Sequence, residues 1–455
     1  MQRALLTKLG LIALVTVLLQ IPVSLVRGLI AERQGLRGSV VADIARGTSE
    51  AQRISGPVLA IPWTRRMVEN VSEVDDAGRR QVVARERKET GVAAFLPTTL
   101  KVTGQVDLQP KHRGIYTANV YRLDSVWEGS FTVPIGLGVP ERGNLEWGRP
   151  SLVLGIQDTR GIRDGLRIQW NGSPLEVLPG GLEAAGMSAG VQARLADVEA
   201  TKGGTFRFRV DLPLGGTERL EIVPSGATTE VALASPWPHP SFIGRVLPEP
   251  GTRVSAEGFS ATWKTTHLAT NLGQVFQRCV DGKQCDAFRQ HTIGVAFVDP
   301  VDPYLMAERS VKYGILFILV TFSAFFLVEV LRGLAIHPMQ YGLVGAALAL
   351  FFLLLVSLSE HLHFGLAFGL ATAACVLLNT YYMSHVLRSR RLGAGFGAGL
   401  ALLYGLLFGL LRSEDHALLM GSTLVFGLLA GIMVATRKVD WYSVGSNASP
   451  TGARA

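Results

Sequence analysis

The chain has 455 residues, of which 48% are hydrophobic and 18% are charged, and its formal net charge is +8. A mean hydropathy of +0.29 excludes an ordinary soluble protein, and the charged fraction excludes a simple bundle of membrane helices. Because the apolar residues are concentrated at the two ends, the composition predicts a membrane protein that also carries a large water-exposed domain.

The first apolar segment is LGLIALVTVLLQIPVSLV at residues 9–26. It is longer than the apolar core of a signal peptide, which spans roughly 7–15 residues. The following stretch, VSLVRGLIAERQ, contains no A-x-A-like cleavage site. The sequence therefore predicts an uncleaved transmembrane anchor within residues 1–30.

Residues 31–310 contain short alternating apolar and polar runs separated by Gly and Pro, such as TFRFRVDLPL and TEVALASPW. A period of two bounded by turn residues predicts antiparallel strands, and hence a β-rich domain built as a sandwich or open barrel. One helix is predicted within residues 38–55, continuing from the anchor. The charged stretch at 73–90 is predicted to be a solvated hairpin or loop.

Cys279 and Cys285 flank the turn-like sequence VDGKQ in this domain. A disulfide that closes a hairpin is the favoured interpretation if the domain is exported, because that compartment permits disulfides. Two free thiols are the alternative. A metal site is disfavoured because neither a second Cys pair nor a nearby His accompanies them. Cys375 falls in a predicted span, where a small apolar packing role is expected.

Two further motifs in the domain have competing interpretations. GMSAG at residues 186–190 matches the G-x-S-x-G nucleophile elbow, but PGGLEAA precedes it where a buried strand is needed, so Ser188 is predicted to lie in a surface loop. SPWPHPSFIG contains Trp237, His239 and Phe242. Its prolines exclude a central strand. A rigid edge segment that buries Trp237 and Phe242 is favoured over a ligand-binding rim.

The C-terminal part is almost continuously apolar. A hydrocarbon core of roughly 30 Å needs about 20 helical residues. Five segments satisfy this, at about 312–331, 341–359, 364–387, 392–411 and 417–436. Unbroken rather than alternating apolar runs favour helices over a barrel. With the anchor, the sequence predicts six transmembrane helices, of which five form a bundle at 311–438, followed by a cytoplasmic tail at 439–455.

Basic residues near the span ends predict the orientation. One alternating assignment places these residues on a single side: Arg3, Lys8, Arg332, Arg388, Arg390, Arg391, Arg437 and Lys438. That side is predicted to be cytoplasmic, with both termini inside and residues 31–310 outside, although Arg27, Arg33 and Arg37 count against it. The net positive charge is then mainly a topology signal. The lipid bilayer is the expected partner, and no nucleic-acid motif is present.

Several ionisable residues lie at the predicted span ends. Glu329 and Arg332 share one helix face, and an intramembrane carboxylate is usually paired or functional. We therefore expect Arg332 to pair with Glu329. His337 and Gln340 flank the start of the third span, where Pro338 suits the first helical turn.

Glu360, His361 and His363 interrupt two apolar segments in VSLSEHLHFG. Glu360 ends the third span, where the helix dipole disfavours an anion. It is therefore predicted to pair with a cation, either His361, His363 or Arg412, as the cap of a hairpin. A metal site is disfavoured because only His416 is an obvious additional ligand. A proton relay is disfavoured because no span carries a charged residue or His at mid-depth, which also argues against transport by this chain alone.

The sequence resembles the CreD family of bacterial inner-membrane proteins, which is associated with cell-envelope integrity. The similar segments include GPVLAIPW, HRGIYTANVY, SPWPHPSFIGRVLP, GFSATWKTTHLATNLGQ and VLRGLAIHPMQYGLVGAALALFFLLLVSLSEH. The resemblance implies six spans and a periplasmic domain. It also implies a link to a two-component envelope-stress system, to the β-lactam response and to colicin tolerance. It supplies no catalytic residues.

We therefore expect a mixed membrane protein with a periplasmic β-rich domain at 31–310, no cofactor and no metal. Its predicted function is non-enzymatic maintenance of the envelope, with an unidentified envelope or membrane protein as a further partner. The alternative is a transporter or a lipid-handling protein built on the C-terminal helices.

Overall fold

The computed structural model describes residues 2–74, 80–138, 144–196, 203–282, 285–297, 299, 302–332, 336–412 and 417–437. The chain forms two compact units. Unit 1 contains Met1–Gly38 and Val301–Ala455, and unit 2 contains Ser39–Pro300. The predicted tail at 439–455 lies outside the described residues, and the finer domain boundaries stay predictions.

Unit 1 is helical. Its helices are α1 (Gln2–Leu18), the first part of α2 (Gln20–Gly47), α6 (Pro303–Lys312), α7 (Gly314–Arg332), α8 (Pro338–Ser359), α9 (Phe364–Val386), α10 (Arg390–Arg412) and α11 (Ala417–Thr436). Short helices α3 (His267–Thr270), α4 (Leu272–Val280) and α5 (Cys285–Arg289) belong to unit 2.

Within the described residues, four helical segments are long and apolar enough to cross a membrane. They are Thr7–Gly47, Pro338–Ser359, Phe364–Val386 and Arg390–Arg412. A fifth is present if α6 and α7, which meet at a bend of 44°, form one broken span. Helix α11 covers the sixth predicted range as a helix, but its shorter apolar stretch does not establish a crossing. The structure thus supports several membrane helices and leaves the number six as a prediction.

The segment Thr7–Gly47 is 41 residues long, which corresponds to about 60 Å of helix. A bilayer core of about 30 Å accounts for only half of that length. The predicted helix at 38–55 is present as far as Gly47, and strand β1 (Gln52–Val74) follows it.

Unit 2 contains two β-sheets. In the first, the strands follow the order β14 (Ser241–Gly244), β17 (Ile293–Ala296), β12 (Arg219–Ile222), β1 (Gln52–Val74), β6 (Ser151–Ile156), β10 (Gly190–Arg194) and β9 (Val177–Pro179). Two more strands, β2 (Arg80–Phe95) and β5 (Asn144–Trp147), also pair with β1. The charged stretch at 73–90 therefore belongs mainly to a β-hairpin, with residues 75–79 outside the described part.

The second sheet has the order β15 (Arg253–Ser255), β16 (Gly258–Thr266), β13 (Thr228–Ser235), β3 (Thr99–Arg113), β4 (Tyr116–Val133), β11 (Gly204–Thr217), β7 (Arg167–Trp170) and β8 (Ser173–Leu175). Burial alternates along β3 and β13, as expected for strands with one buried face. The sheet therefore buries one face and exposes the other.

One hydrophobic core joins the two sheets. It contains Leu59 and Leu152 from the first sheet and Trp127, Phe131 and Trp263 from the second. This arrangement is a sandwich. The strands are not all antiparallel, however, because β1 runs parallel to β12 and β3 runs parallel to β13. Parallel partners require long crossover connections, which period-two alternation does not reveal.

A second core packs α4 and α5 against residues of β1 and β2. Phe276 and Phe288 are fully buried there, beside Val58 and Ala94. In the structure, a disulfide joins Cys279 at the end of α4 to Cys285 at the start of α5, with a Cα–Cα distance of 4.3 Å. The predicted partners are thus paired, but between two helices rather than across a β-hairpin.

Asp158 holds the segment that leads from α2 into β1. Its carboxylate accepts the backbone N–H of Glu50 at 2.9 Å and a guanidinium N–H of Arg160 at 2.7 Å. Buried Gln52 donates its side-chain amide to the Asp158 carbonyl at 2.9 Å. The hydrogen bond from Arg160 lowers the pKa of Asp158 below its ordinary value. The carboxylate is therefore ionised near neutral pH and remains available as a double acceptor.

Candidate functional site

Three groups of polar side chains in the described part of unit 1 lie along α8, and we name them the Glu329 cluster, the Asn379 cluster and the Glu360 cluster. The Glu329 cluster contacts the first turn of α8 through Tyr341, and Glu360 ends the same helix. Tyr341 and Glu360 are separated by about 28 Å of helix, close to the thickness of a bilayer core.

The Glu329 cluster is built around a buried carboxylate near the end of α7. Glu329 is only 6% exposed. It forms an ion pair with Lys8 of α1. The same oxygen, Oε1, accepts the backbone N–H of Ile336 at 3.2 Å, and Oε2 accepts the hydroxyl of Tyr341 at 2.8 Å. One carboxylate thus connects α1, α7 and α8.

Arg332 does not have the role expected from the sequence. It is exposed at the end of α7, and in the described part of the chain the cation that pairs with Glu329 is Lys8. The spacing of Glu329 and Arg332 allowed their pairing. The contact with Lys8 was missed because no local pattern shows that α1 packs beside α7.

His337 and Gln340 form the N-terminal cap of α8. The His337 ring accepts the backbone N–H of Met339 at 3.1 Å, and the Gln340 side chain accepts the backbone N–H of His337 at 3.2 Å. Together they form a capping box, with Pro338 in the first helical position. Both side chains therefore satisfy backbone groups that would otherwise lack partners at a helix end.

The Glu360 cluster joins α2, α6 and α8. Glu360 accepts the hydroxyl of Tyr304 at 3.2 Å and lies 3.4 Å from the Arg33 guanidinium. One helical turn beyond Arg33, Arg37 forms an ion pair with Asp302. Asp302 also caps α6 by accepting the backbone N–H of Tyr304 at 2.9 Å.

The cations expected to pair with Glu360 lie elsewhere. His361 is exposed in the turn after α8, and His363 caps α9 by accepting the N–H of Gly365 at 3.3 Å. Arg412 stacks over the ring of Phe408 at 5.8 Å. The predicted partners of Glu360 in the hairpin cap are therefore wrong. The cation beside Glu360 is Arg33, which belongs to α2 near the start of the chain.

The Asn379 cluster lies between these two groups, near the middle of α8, α9 and α10. Buried Asn379 donates to the carbonyl of Cys375 at 2.9 Å. The Cys375 sulfur lies 3.3 Å from the Tyr404 hydroxyl and 3.5 Å from the Ala347 carbonyl. Cys375 thus makes polar contacts as well as packing contacts. None of these groups carries a charge, so the cluster holds three helices together without forming a charged relay.

Within the described ranges, no group of three or more His, Cys, Asp or Glu side chains could hold a metal ion. His416, which was considered as a further ligand beside Glu360, lies outside those ranges.

The aromatic segment of unit 2 lies at an edge of the first sheet. Trp237 donates its indole N–H to the His239 carbonyl at 2.9 Å. Phe242 on edge strand β14 contacts Phe259 and Trp263 edge-to-face, with ring centroids 5.8 and 5.7 Å apart. Trp237 and Phe242 are half-buried against the main core. These contacts support the structural interpretation of the segment.

Ser188 is exposed and precedes β10. A nucleophile elbow requires a turn from a strand into a helix, whereas here a short turn leads into a strand. The geometry therefore does not support a hydrolase of that type.

The chain is similar over most of its length to known membrane proteins. A family model described as "Inner membrane protein CreD" matches residues 4–442. A protein of Escherichia coli (strain K12) with the name "Inner membrane protein CreD" is 37% identical over 427 residues. That alignment covers 94% of this chain and 91% of the relative. The resemblance found in the sequence is confirmed.

The Lys8–Glu329 pair can be tested with a double-mutant cycle on the full-length protein in mixed micelles. Lys8→Met leaves a buried carboxylate without its cation and should lower the free energy of unfolding by about 3–5 kcal/mol. Lys8→Met combined with Glu329→Gln removes both charges and should recover most of that loss. Arg332→Gln is the matched surface control and should change stability by less than about 0.5 kcal/mol. Additive losses in the double variant would contradict the pairing.

A second prediction concerns Glu360, whose side chain can be replaced by an isosteric amide. Glu360→Gln keeps an acceptor for Tyr304, whereas Glu360→Leu removes the acceptor that Glu360 provides to Tyr304 and Arg33 and should cost about 1–3 kcal/mol. In detergent, the thermal unfolding temperature of the Glu360→Leu variant should therefore be well below that of the Glu360→Gln variant. His361→Gln is the control and should leave the unfolding temperature unchanged. Equal loss of biological activity in both Glu360 variants, at equal stability and membrane level, would indicate a titrating role instead.

Proposed function

The chain belongs to the CreD family of inner membrane proteins, and from that premise we propose that it maintains the integrity of the cell envelope without catalysing a reaction. As the family resemblance implies, it would act in an envelope-stress response linked to β-lactams and to a two-component system. The partner of the exported domain would be another envelope or membrane protein.

The observation that carries this proposal is that buried Glu329 and half-buried Glu360 of unit 1 already have structural partners. Glu329 is neutralised by Lys8, and Glu360 is held by Arg33 and Tyr304. Among the residues that the structure describes, the polar groups of the Asn379 cluster, which lies between them, are uncharged. A proton-coupled transporter is expected to carry an ionisable group near the midplane. In this proposal the charged residues of unit 1 hold its helices together, and the large β-rich unit carries the function.

We also propose six spans, with both termini in the cytoplasm and residues 31–310 in the periplasm. The arginines that oppose this orientation in the sequence have partners in unit 1: Arg33 pairs with Glu360, Arg37 pairs with Asp302, and Arg27 donates to the Val311 carbonyl at 3.3 Å. A long domain such as residues 31–310 is translocated largely regardless of nearby positive charges, so these arginines are weak determinants of topology. The disulfide between Cys279 and Cys285 fits an oxidising compartment.

A lipid-handling role for the helices is the second candidate function. An apolar cavity between α7, α10 and α11 favours it. The two candidates assign activity to different parts of the chain, so deleting one part can distinguish them.

The topology predicts the behaviour of reporter fusions. A reporter that is active only in the cytoplasm should work when fused after Arg391 or after Arg437, and one active only in the periplasm should work near Gly282. The physical reason is that basic loops are retained in the cytoplasm. Periplasmic activity after Arg391 would contradict the six-span arrangement.

The functional proposal predicts that the β-rich domain is required in cells. In a strain that lacks the gene, tolerance to β-lactams and to membrane-active agents should be restored by the full chain and by Ser188→Ala. A variant in which a short linker replaces residues 40–300 should insert into the membrane, as membrane fractionation would verify, but should fail to restore tolerance. Full restoration by that variant would contradict the proposal and would favour the lipid-handling alternative.

A further inference from the structure

An apolar cavity of about 860 Å³ lies in unit 1 between α7, α10 and α11. It is lined mainly by Leu, Val, Phe and Gly residues. Along α10 it extends from Arg391 to Leu406, a distance of about 22 Å at 1.5 Å per residue. One leaflet of a bilayer core of roughly 30 Å is only about half as thick as the whole core. The cavity is thus long enough for an acyl chain in one leaflet.

Glycines on α10 create this space. Gly395 and Gly399 line the cavity, and a Cβ atom added at either position would meet no atom within 4 Å. On another face of the same helix, Gly393 and Gly397 lie against Ser384 and Thr380 of α9, where an added Cβ would overlap those residues. Close helix packing therefore explains Gly393 and Gly397, but it does not explain Gly395 and Gly399.

One end of the cavity is cationic. Arg391 lines it, and Arg388 and Arg390 precede Arg391 at the α9–α10 connection. Within the described part of the chain, no carboxylate forms an ion pair with any of these three side chains. A guanidinium binds phosphate oxygens through paired, charge-assisted hydrogen bonds. An apolar channel with a cationic mouth complements a molecule with an apolar tail and an anionic head.

We infer that this cavity binds an anionic phospholipid of the surrounding bilayer, with an acyl chain along Gly395 and Gly399 and the phosphate at Arg391. The cavity lies between helices of a membrane protein, so the molecules that surround these helices are lipids. The inference concerns unit 1 alone and does not depend on the proposed role of the β-rich domain.

The test uses the full-length protein purified in detergent and mixed with either phosphatidylglycerol or phosphatidylcholine. Native mass spectrometry then counts the lipids retained by each protein molecule. The unmodified protein should retain phosphatidylglycerol in preference to phosphatidylcholine. Arg391→Gln should reduce retention of phosphatidylglycerol by about fivefold, as expected for one cationic side chain at a membrane surface.

Two matched variants serve as controls. Gly399→Leu fills the cavity and should abolish retention of both lipids, whereas Gly369→Leu places the same side chain at an equally open glycine of α9 and should leave retention unchanged. Arg412→Gln removes an arginine from the opposite end of α10 and should also leave the preference unchanged. Thermal unfolding of each variant separates a loss of binding from a loss of folding.

The results can overturn the inference in two ways. Equal retention of the two lipids, or equal effects of Arg391→Gln and Arg412→Gln, would show that no specific headgroup contact exists. A dimer mass that Gly399→Leu converts to a monomer would assign the cavity to a second copy of the chain.

Discussion

A buried charge inside a membrane must be neutralised by the protein itself, and the Lys8–Glu329 pair is where this constraint acts most strongly. Glu329 is almost completely removed from solvent, and an isolated carboxylate in that position would be very costly. The pair satisfies the constraint by joining the first helix to α7, while Tyr341 adds α8. Helices from the N-terminal and C-terminal parts of the sequence are thereby joined in one helical unit.

The second tie, at Glu360, differs in its degree of burial. Arg33 is more than one-third exposed, so solvent screens this interaction more than it screens the Lys8–Glu329 pair. Arg37 and Asp302 add a further ion pair along the same helix, α2. The ion pairs of Glu329 and Glu360 lie near opposite ends of α8 and fix the positions of α1 and α2 along it. A shift of α1 and α2 by one helical turn would separate both sets of charges. Because Glu329 is more deeply buried, its ion pair contributes more to the positions of α1 and α2 than the Glu360 cluster does. The Glu360 cluster fixes the position of α2 at the other end of α8.

Local patterns in the sequence predicted most of the helices and many of the strands. Apolar runs located the helices α7 to α11, alternation located strands such as β11 and β13, and Pro338 marked the start of α8. The partners of Glu329 and Glu360 could not be found in this way. Lys8 and Glu329 are 321 positions apart, and charge alone cannot choose Lys8 over the neighbouring Arg332. The parallel pairing of β3 with β13 was missed for the same reason, since it depends on chain topology rather than on local composition.

The glycines of α10 show how one helix can serve cohesion and leave space for a ligand. Gly393 and Gly397 recur at an interval of four and allow α9 to approach closely. Gly395 and Gly399 recur at the same interval but lie about 200° further around the helix, where the surrounding space is empty. A helix that needed small residues only for packing would gain apolar contacts from larger side chains on that second face. Because glycine has no side chain, this face leaves a channel that begins at Arg391. Glycine therefore permits close packing against α9 on one face of α10 and leaves an open cavity on the other.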